Sequence, residues 1–274
     1  MNARQARRAR ATDDLIDHVA LEELAVAHGG RLLEPVAIVI AAYKEADTIE
    51  SVVKAMPSEI EGLATSVVVV VDGEDDGTSG IVRNAGQVAV IAPVNRGQGA
   101  ALRLGYRVAR EYGARFIVTA DADGQSDPDD LAAALRPVVA GEADFVNGSR
   151  RLGETYGTDT VRNAGVLCYA VLVSLLTRTR VTDTANPIRA FRSALTGNLT
   201  LEEPQYQASE LLIAAIMSGC RYAEIPVTMR ERAAGSSKKG GNLLYGLRYG
   251  RVVLRTWHRE RARRRNLCSG GARP

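Results

Sequence analysis

From Pro35 onward, short apolar runs alternate with longer stretches whose apolar positions recur at helical spacing: VAIVIA and a helix from Asp47 to about Met56, VVVVV and a helix from Thr78, VAVIA and a helix from Gln98 to Tyr112, then RFIVTA. Near-continuous Val and Ile runs belong to strands covered on both faces, and the alternation predicts a mainly parallel sheet with right-handed crossovers. DFVNGSR and CRYAEIPV predict two later strands, and QASELLIAAIMSG a helix carrying Glu210. The stretch from Ala164 to Leu176 is uncharged and too short to span a bilayer, which predicts a buried or interface helix. Before Pro35, DDLIDHVALEELAVAH reads as a short helix stopped at Gly29-Gly30. The expected organisation is an N-terminal helical extension and linker over 1–34, an α/β domain over 35–240, and a basic amphipathic helix and tail over 241–274.

Polar groups follow three of the predicted strands: Tyr43 to Glu45, Asp72 to Asp76, and Asp121 to Asp123. In an open α/β sheet such ends converge on one rim, where ligands bind. Asp121 and Asp123, two apart in extended chain, put carboxylates on one side and can hold a hard divalent cation, Mg2+ or Mn2+, that completes its shell with water and diphosphate oxygens. Asp127, before Pro128, reads as a helix N-cap. VDGEDDGTSG offers acceptors for a base or ribose, but neither it nor NRGQGAALRLG has the glycine spacing of a dinucleotide fingerprint or a phosphate loop. Gly97 and Gly99 can serve close ligand approach or close packing.

The net charge of +3 hides an uneven distribution, because residues 1–10 carry four Arg and residues 248–274 nine Arg and one Glu, which leaves an acidic body. Basic ends suggest a phospholipid surface, nucleic acid, or only solvated tails; without interleaved aromatics beyond Tyr249 and Trp257, nucleic acid is disfavoured. At the C-terminus, Leu243, Leu247, Leu254 and Trp257 recur at helical spacing beside a stripe of Arg248, Arg251, Arg255 and Arg259. This is an amphipathic basic helix, either packed on the domain or lying in a membrane surface. Three cysteines at no metal spacing and no secretory leader pattern point to a reducing cytoplasm, with peripheral attachment at the inner face of the membrane as the accompanying expectation.

AAYKEADTI, VVDGEDDGT, NRGQGAALRLG, DADGQSDP, NGSR, the DT and RAFR segments, ELL with AEIPV, and the basic loop RERAAGSSKKGG stand in that order from Val36 to Lys238. This series resembles family-2 glycosyltransferases of the GT-A fold, most closely the dolichol- or polyprenyl-phosphate sugar transferase branch. The resemblance implies a metal-dependent, inverting transfer of a sugar from a UDP- or GDP-linked donor to a polyprenyl phosphate, or else to a soluble hydroxyl-bearing small molecule; a non-catalytic nucleotide-binding protein is the remaining alternative, disfavoured because the metal carboxylates are present. It implies donor contacts from Ala42, Tyr43, Glu45, Asp72, Asp121, Ala122, Gln125, Arg232 and Lys238, with metal on Asp121 and Asp123 and acceptor contacts from Arg150 and Arg162. Catalytic roles fall to Asp123, Arg232, Lys238 and Asp183, the last as candidate base for a hydroxyl acceptor or as a structural aspartate paired with Arg189 or Arg192. The sequence departs from the family pattern at Asp72-Gly73-Glu74, at Gln98 between Gly97 and Gly99, at Asn186-Pro187-Ile188, and at Val166, where the branch has a Ser four residues after an Arg.

Overall fold

The valine and isoleucine runs pair as parallel strands. The computed structural model describes residues 3–73, 75–153, 160–228 and 243–270, the side chains of 3–10, 160–164, 243–245 and 267–270 excepted. In chain order the elements begin α1 (Ala3–His28), β1 (Val36–Ala42), α2 (Ile49–Ala55), β2 (Glu59–Ile60), β3 (Leu63–Asp72), α3 (Thr78–Asn84), β4 (Val88–Ala92), α4 (Gln98–Glu111) and β5 (Phe116–Asp121). They continue with α5 (Pro128–Val139), β6 (Phe145–Ser149), α6 (Thr160–Thr177), β7 (Arg189–Arg192), α7 (Ser193–Gly197), α8 (Gln207–Ser218), β8 (Tyr222–Pro226) and α9 (Leu243–Gly270).

The main sheet runs β4-β3-β1-β5-β7-β6-β8, with β2 folded back on the start of β3. Its first four strands are parallel, as are β6 and β8, while β7 is antiparallel to both its neighbours. Strand periodicity divides the core into two layers. Val36, Ile38 and Ile40 pack with α2, α3 and α5 residues such as Val52, Val82 and Leu135, whereas Ala37 and Val39 face the opposite layer with Leu104, Leu211 and Val253.

Two helices differ from expectation. α1 is 26 residues long and packs on β4, burying Ala20 and Leu24; its Asp17 pairs with Arg96 Nη2 at 2.6 Å. α9 packs on α8 through Tyr249, Val252, Val253, Thr256 and Glu260, so Leu247 and Leu254 point outward instead of forming the buried stripe. Of the arginine stripe expected to stay in solvent or meet headgroups, Arg255 pairs with Glu202 and Glu203 at 3.1 Å and Arg259 with Glu210 at 2.9 Å. The physical reason is that buried carboxylates on the loop before α8 and on α8 itself need counter-charges. α6 lies beside α9, with Trp257 Nε1 donating to the Leu176 carbonyl (2.8 Å) and Tyr169 OH to that of Gly246 (2.6 Å).

Helix α4 crosses β1 and β3 at Gly105, where a Cβ would strike Val39 and Val70. Gly105→Val should therefore destabilise the protein by about 1–3 kcal/mol through overpacking, read as a lowered urea midpoint. An unchanged midpoint would mean that α4 can lift off the sheet at no cost.

Candidate active site

The register of the parallel strands brings their carboxyl ends level. Ala42 pairs with Val71, one residue before Asp72, and Ala41 pairs with Asp121, so three loops leave the sheet from adjacent positions. Cross-links hold them together: Asp76 Oδ2 accepts from the Ala46 amide (3.2 Å), Thr48 Oγ1 has its one hydrogen within reach of Glu45 Oε2 (3.0 Å) and of the Ala122 carbonyl (3.4 Å), and Gln98 Nε2 donates to Asp121 Oδ1 (3.0 Å). Tyr43 is 43 % exposed on this rim, and Ala42 and Ala122 are buried beneath it.

Asp72 is buried and accepts from the Arg96 amide (3.1 Å) and the Gly97 amide (2.7 Å), so one of its tasks is to hold the loop that leads into α4. Burial pushes its carboxyl upward against the pull of those amides. The same loop explains Gly99: a Cβ there would run into the carbonyl oxygens of Glu203 and Pro204, and the Gly99 amide donates to Pro204 (2.8 Å). Close backbone packing therefore accounts for this glycine.

Asp121 and Asp123 are half-buried at the end of β5, and Asp123 Oδ1 accepts from the Gln125 amide (3.2 Å) as the chain turns. Asp127 caps α5, accepting from the Asp129 amide (3.1 Å), as the sequence predicts. Asp121 and Asp123 offer two hard oxygen donors, and no set of three or more His, Cys, Asp or Glu that could hold a metal occurs among the described residues. Two carboxylates with open positions suit a hard divalent ion that keeps water and phosphate ligands.

On the far side of β5, Asp183 is fully buried and grips Arg150 in a fork, Nε to Oδ2 at 2.6 Å and Nη2 to Oδ1 at 2.9 Å, and it also accepts from the Ala185 amide (3.0 Å). This corrects the structural reading of Asp183 and bears on its candidacy as a base. Its partner is Arg150, not Arg189 or Arg192, and a carboxylate already bonded to those donors is poorly placed to take a proton from an acceptor. Burial pushes its carboxyl up, but the Arg150 fork and the amides outweigh burial and hold it below the ordinary range. Behind it, Glu224 accepts from Thr182 N (2.9 Å), Thr182 Oγ1 (2.8 Å) and Tyr222 OH (2.8 Å), and fixes the segment that presents Asp183.

A cavity of about 410 Å3 lies beside Asp121 and Gln98, walled by Asn186, Arg189, Tyr206 and Gln207, with Arg248 and Tyr249 of α9 closing it. The sequence marks Asn186 only as a departure from the family pattern and Arg248 and Tyr249 only as part of a basic end, and it gives no sign that Tyr206 and Gln207, at the start of α8, meet them beside Asp121. Arg232, Lys238 and Glu74 lie outside the described residues, as does the side chain of Arg162, whose backbone belongs to α6.

Residues 37–196 match glycosyl transferase family 2. A dolichyl-phosphate hexose transferase of Haloferax volcanii is 30 % identical over 233 residues, covering 84 % of this chain and 97 % of that protein. A UDP-N-acetylglucosamine–dolichyl-phosphate N-acetylglucosaminyltransferase of Methanococcus voltae is 28 % identical over 212 residues, covering 69 % and 83 %. Among solved structures, glucosyl-3-phosphoglycerate synthase of Mycobacterium tuberculosis, in complex with Mn2+, UDP and glucosyl-3-phosphoglycerate, superposes with a TM-score of 0.64 at 20 % identity, over 86 % of this chain and 84 % of that one. The sheet order, the three-loop rim and the family match agree: the chain has the GT-A fold and belongs to glycosyl transferase family 2.

Proposed function

We propose that this glycosyltransferase moves a hexose from a UDP- or GDP-linked donor to a polyprenyl-phosphate acceptor, inverting the anomeric centre, with Mg2+ or Mn2+ as cofactor. The observation that carries the reading is the meeting of the β1, β3 and β5 ends, which gathers an exposed Tyr43 with Glu45, Asp72, Asp121 and Asp123 on one rim. The names of the two transferase relatives support the acceptor class, and the Mn2+ and UDP of the synthase complex support the donor and the ion.

Tyr43 and Ala42 would face the base, and Glu45 would accept from the nucleoside hydroxyls. Asp72 can share that task, since a carboxylate has about four lone-pair sites and the loop amides of Arg96 and Gly97 engage only part of them. Asp121 and Asp123 would hold the divalent ion, which when bound neutralises diphosphate charge, and Ala122 and Gln125 would border the same diphosphate. Arg232 and Lys238 are assigned to the charge that grows on the leaving group. An acceptor phosphate is already anionic near neutral pH, so the occupation of Asp183 by Arg150 leaves the chemistry intact, and Arg150 and Arg162 would border the acceptor. A second reading, a soluble small-molecule acceptor, is favoured by the polar side chains of Asn186, Arg189, Gln207 and Arg248 in the wall of the cavity beside Asp121.

For a lipid acceptor the approach would be peripheral, because no helix among the described residues is long and apolar enough to cross a membrane. Leu167, Val171 and Leu175 of α6 and Leu247 and Leu254 of α9 face outward, with Arg248 and Arg251 exposed beside the latter pair. Such a face can enter the interface while each arginine near anionic headgroups adds about 1 kcal/mol.

Asp121→Ala or Asp123→Ala should abolish the Mn2+-dependent part of UDP and GDP binding, a loss of roughly an order of magnitude or more, with an unchanged melting temperature. Titration calorimetry with and without Mn2+ decides this, and equal metal-dependent affinity in parent and variant would sink the metal assignment. Leu247→Glu with Leu254→Glu should cut salt-sensitive cosedimentation with phosphatidylglycerol vesicles. These substitutions replace a test by deletion of 243–274, which would strip α8 of the buried Val252 and Val253. A parent protein that stays in the supernatant with such vesicles at low salt would make the soluble acceptor the leading reading.

A further inference from the structure

Several side chains in the wall of the cavity beside Asp121 carry hydrogen-bond donors. Arg189 is 2 % exposed, and its guanidinium donates to Asn147 Oδ1 (3.1 Å), to the Ala208 carbonyl and to the Thr184 carbonyl (3.3 Å), all neutral oxygens. No carboxylate is bonded to it among the described residues. A guanidinium has five N–H donors, so capacity remains, and a buried cation without a counter-ion is costly. Asn186 is fully buried; its Oδ1 accepts from the Ile188 amide (2.8 Å), while its Nδ2 has no hydrogen-bond partner. Arg248 adds a second cation at the wall formed by α9. Gln207, in the same wall, leaves both its Nε2 and its Oε1 without a hydrogen-bond partner, and Asp121 is the one carboxylate in this lining. Two guanidiniums and the free Asn186 Nδ2 on one wall suit an anion, which takes up donors and balances charge at once.

We propose that this cavity is the anion subsite of the acceptor, in which a phosphomonoester docks between Arg189, Arg248 and Asn186 Nδ2 beside the donor position at Asp121. The assignment rests on the transfer to a phosphate acceptor proposed above. A phosphate oxygen supplies the electron pair for the new bond to the anomeric carbon, while the bond from that carbon to the nucleoside diphosphate breaks and its electron pair leaves with the diphosphate. No proton has to move. Arg248 directly follows the outward Leu247, so the charged wall of the cavity adjoins the apolar outer face of α9.

The test compares the full chain with Arg248→Glu and Asn186→Asp, the second keeping the oxygen that accepts from Ile188. Calorimetry follows binding of a short prenyl monophosphate, of glycerol 3-phosphate and of the matching neutral prenol, with UDP plus Mn2+ titrated separately. Both variants should weaken the phosphomonoester by roughly tenfold or more while UDP affinity stays within about twofold. Preference for the prenyl compound would assign a lipid source and preference for glycerol 3-phosphate a soluble one; in either case the phosphate is the group recognised. Unchanged phosphomonoester affinity in both variants, or prenol binding as tight as its phosphate, would overturn the subsite. A parent that binds phosphomonoester but not UDP with Mn2+ would instead refute the donor reading and leave the subsite standing.

Discussion

The constraint on which the site depends is the parallel register of β3, β1 and β5. Three neighbouring strands that end level must release three loops at one place, and in this chain each strand end or the loop after it carries acidic residues. Carboxylates brought so close repel unless each has a partner. The fold supplies partners locally for most: Asp75 accepts from the Gly77 amide, Asp76 from Thr78 Oγ1 and the Ala46 amide, Asp72 from the loop before α4, and Asp127 from the start of α5. Asp121 and Asp123 have partners as well, Gln98 Nε2 and the Gln125 amide, and both stay half-buried where the chain leaves β5.

Much of this was legible because it depends on strands with long apolar runs. VAIVIA, VVVVV, VAVIA and RFIVTA each fill a two-sided buried strand, and the order of the polar residues after them fixes the rim. β7 was not legible as a strand. It has four residues, two of them arginines, and it exists because it fits antiparallel between β5 and β6, with Arg189 drawn inward by carbonyls and Asn147. The partner of Asp183 escaped for a related reason: Arg189 and Arg192 are nearer in sequence, but β6 ends beside Asp183 and delivers Arg150 to it.

Glycines and amphipathic helices show a second limit. Nothing local distinguishes a glycine that admits a ligand from one that admits backbone, and for Gly99 the deciding atoms are carbonyls of Glu203 and Pro204, far along the chain. In α9 the most apolar stripe is not the buried one. Thr256 and Glu260 are buried with Tyr249, Val252 and Val253, because the helix docks on a surface that carries Glu202, Glu203 and Glu210 and needs the arginines beside that stripe. The helix chose its face by charge as much as by apolar area.

That choice ties the C-terminal helix to the active site. Arg255 and Arg259 hold Glu202, Glu203 and Glu210; Glu210 in turn accepts the amides of Glu202 (2.8 Å) and Glu203 (2.9 Å); and the segment so fixed continues into Pro204, against which Gly99 packs, and Tyr206, which lines the cavity. α1 acts on the same loop from the other side, through Asp17 and Arg96, whose own amide holds Asp72. Both basic ends of the chain therefore lead into helices that brace the segment between β4 and α4, one directly and one through the loop before α8. A loop braced from two sides keeps Gln98 on Asp121, so the placement of a carboxylate at the strand end depends on helices that the strand pattern alone gives no reason to include.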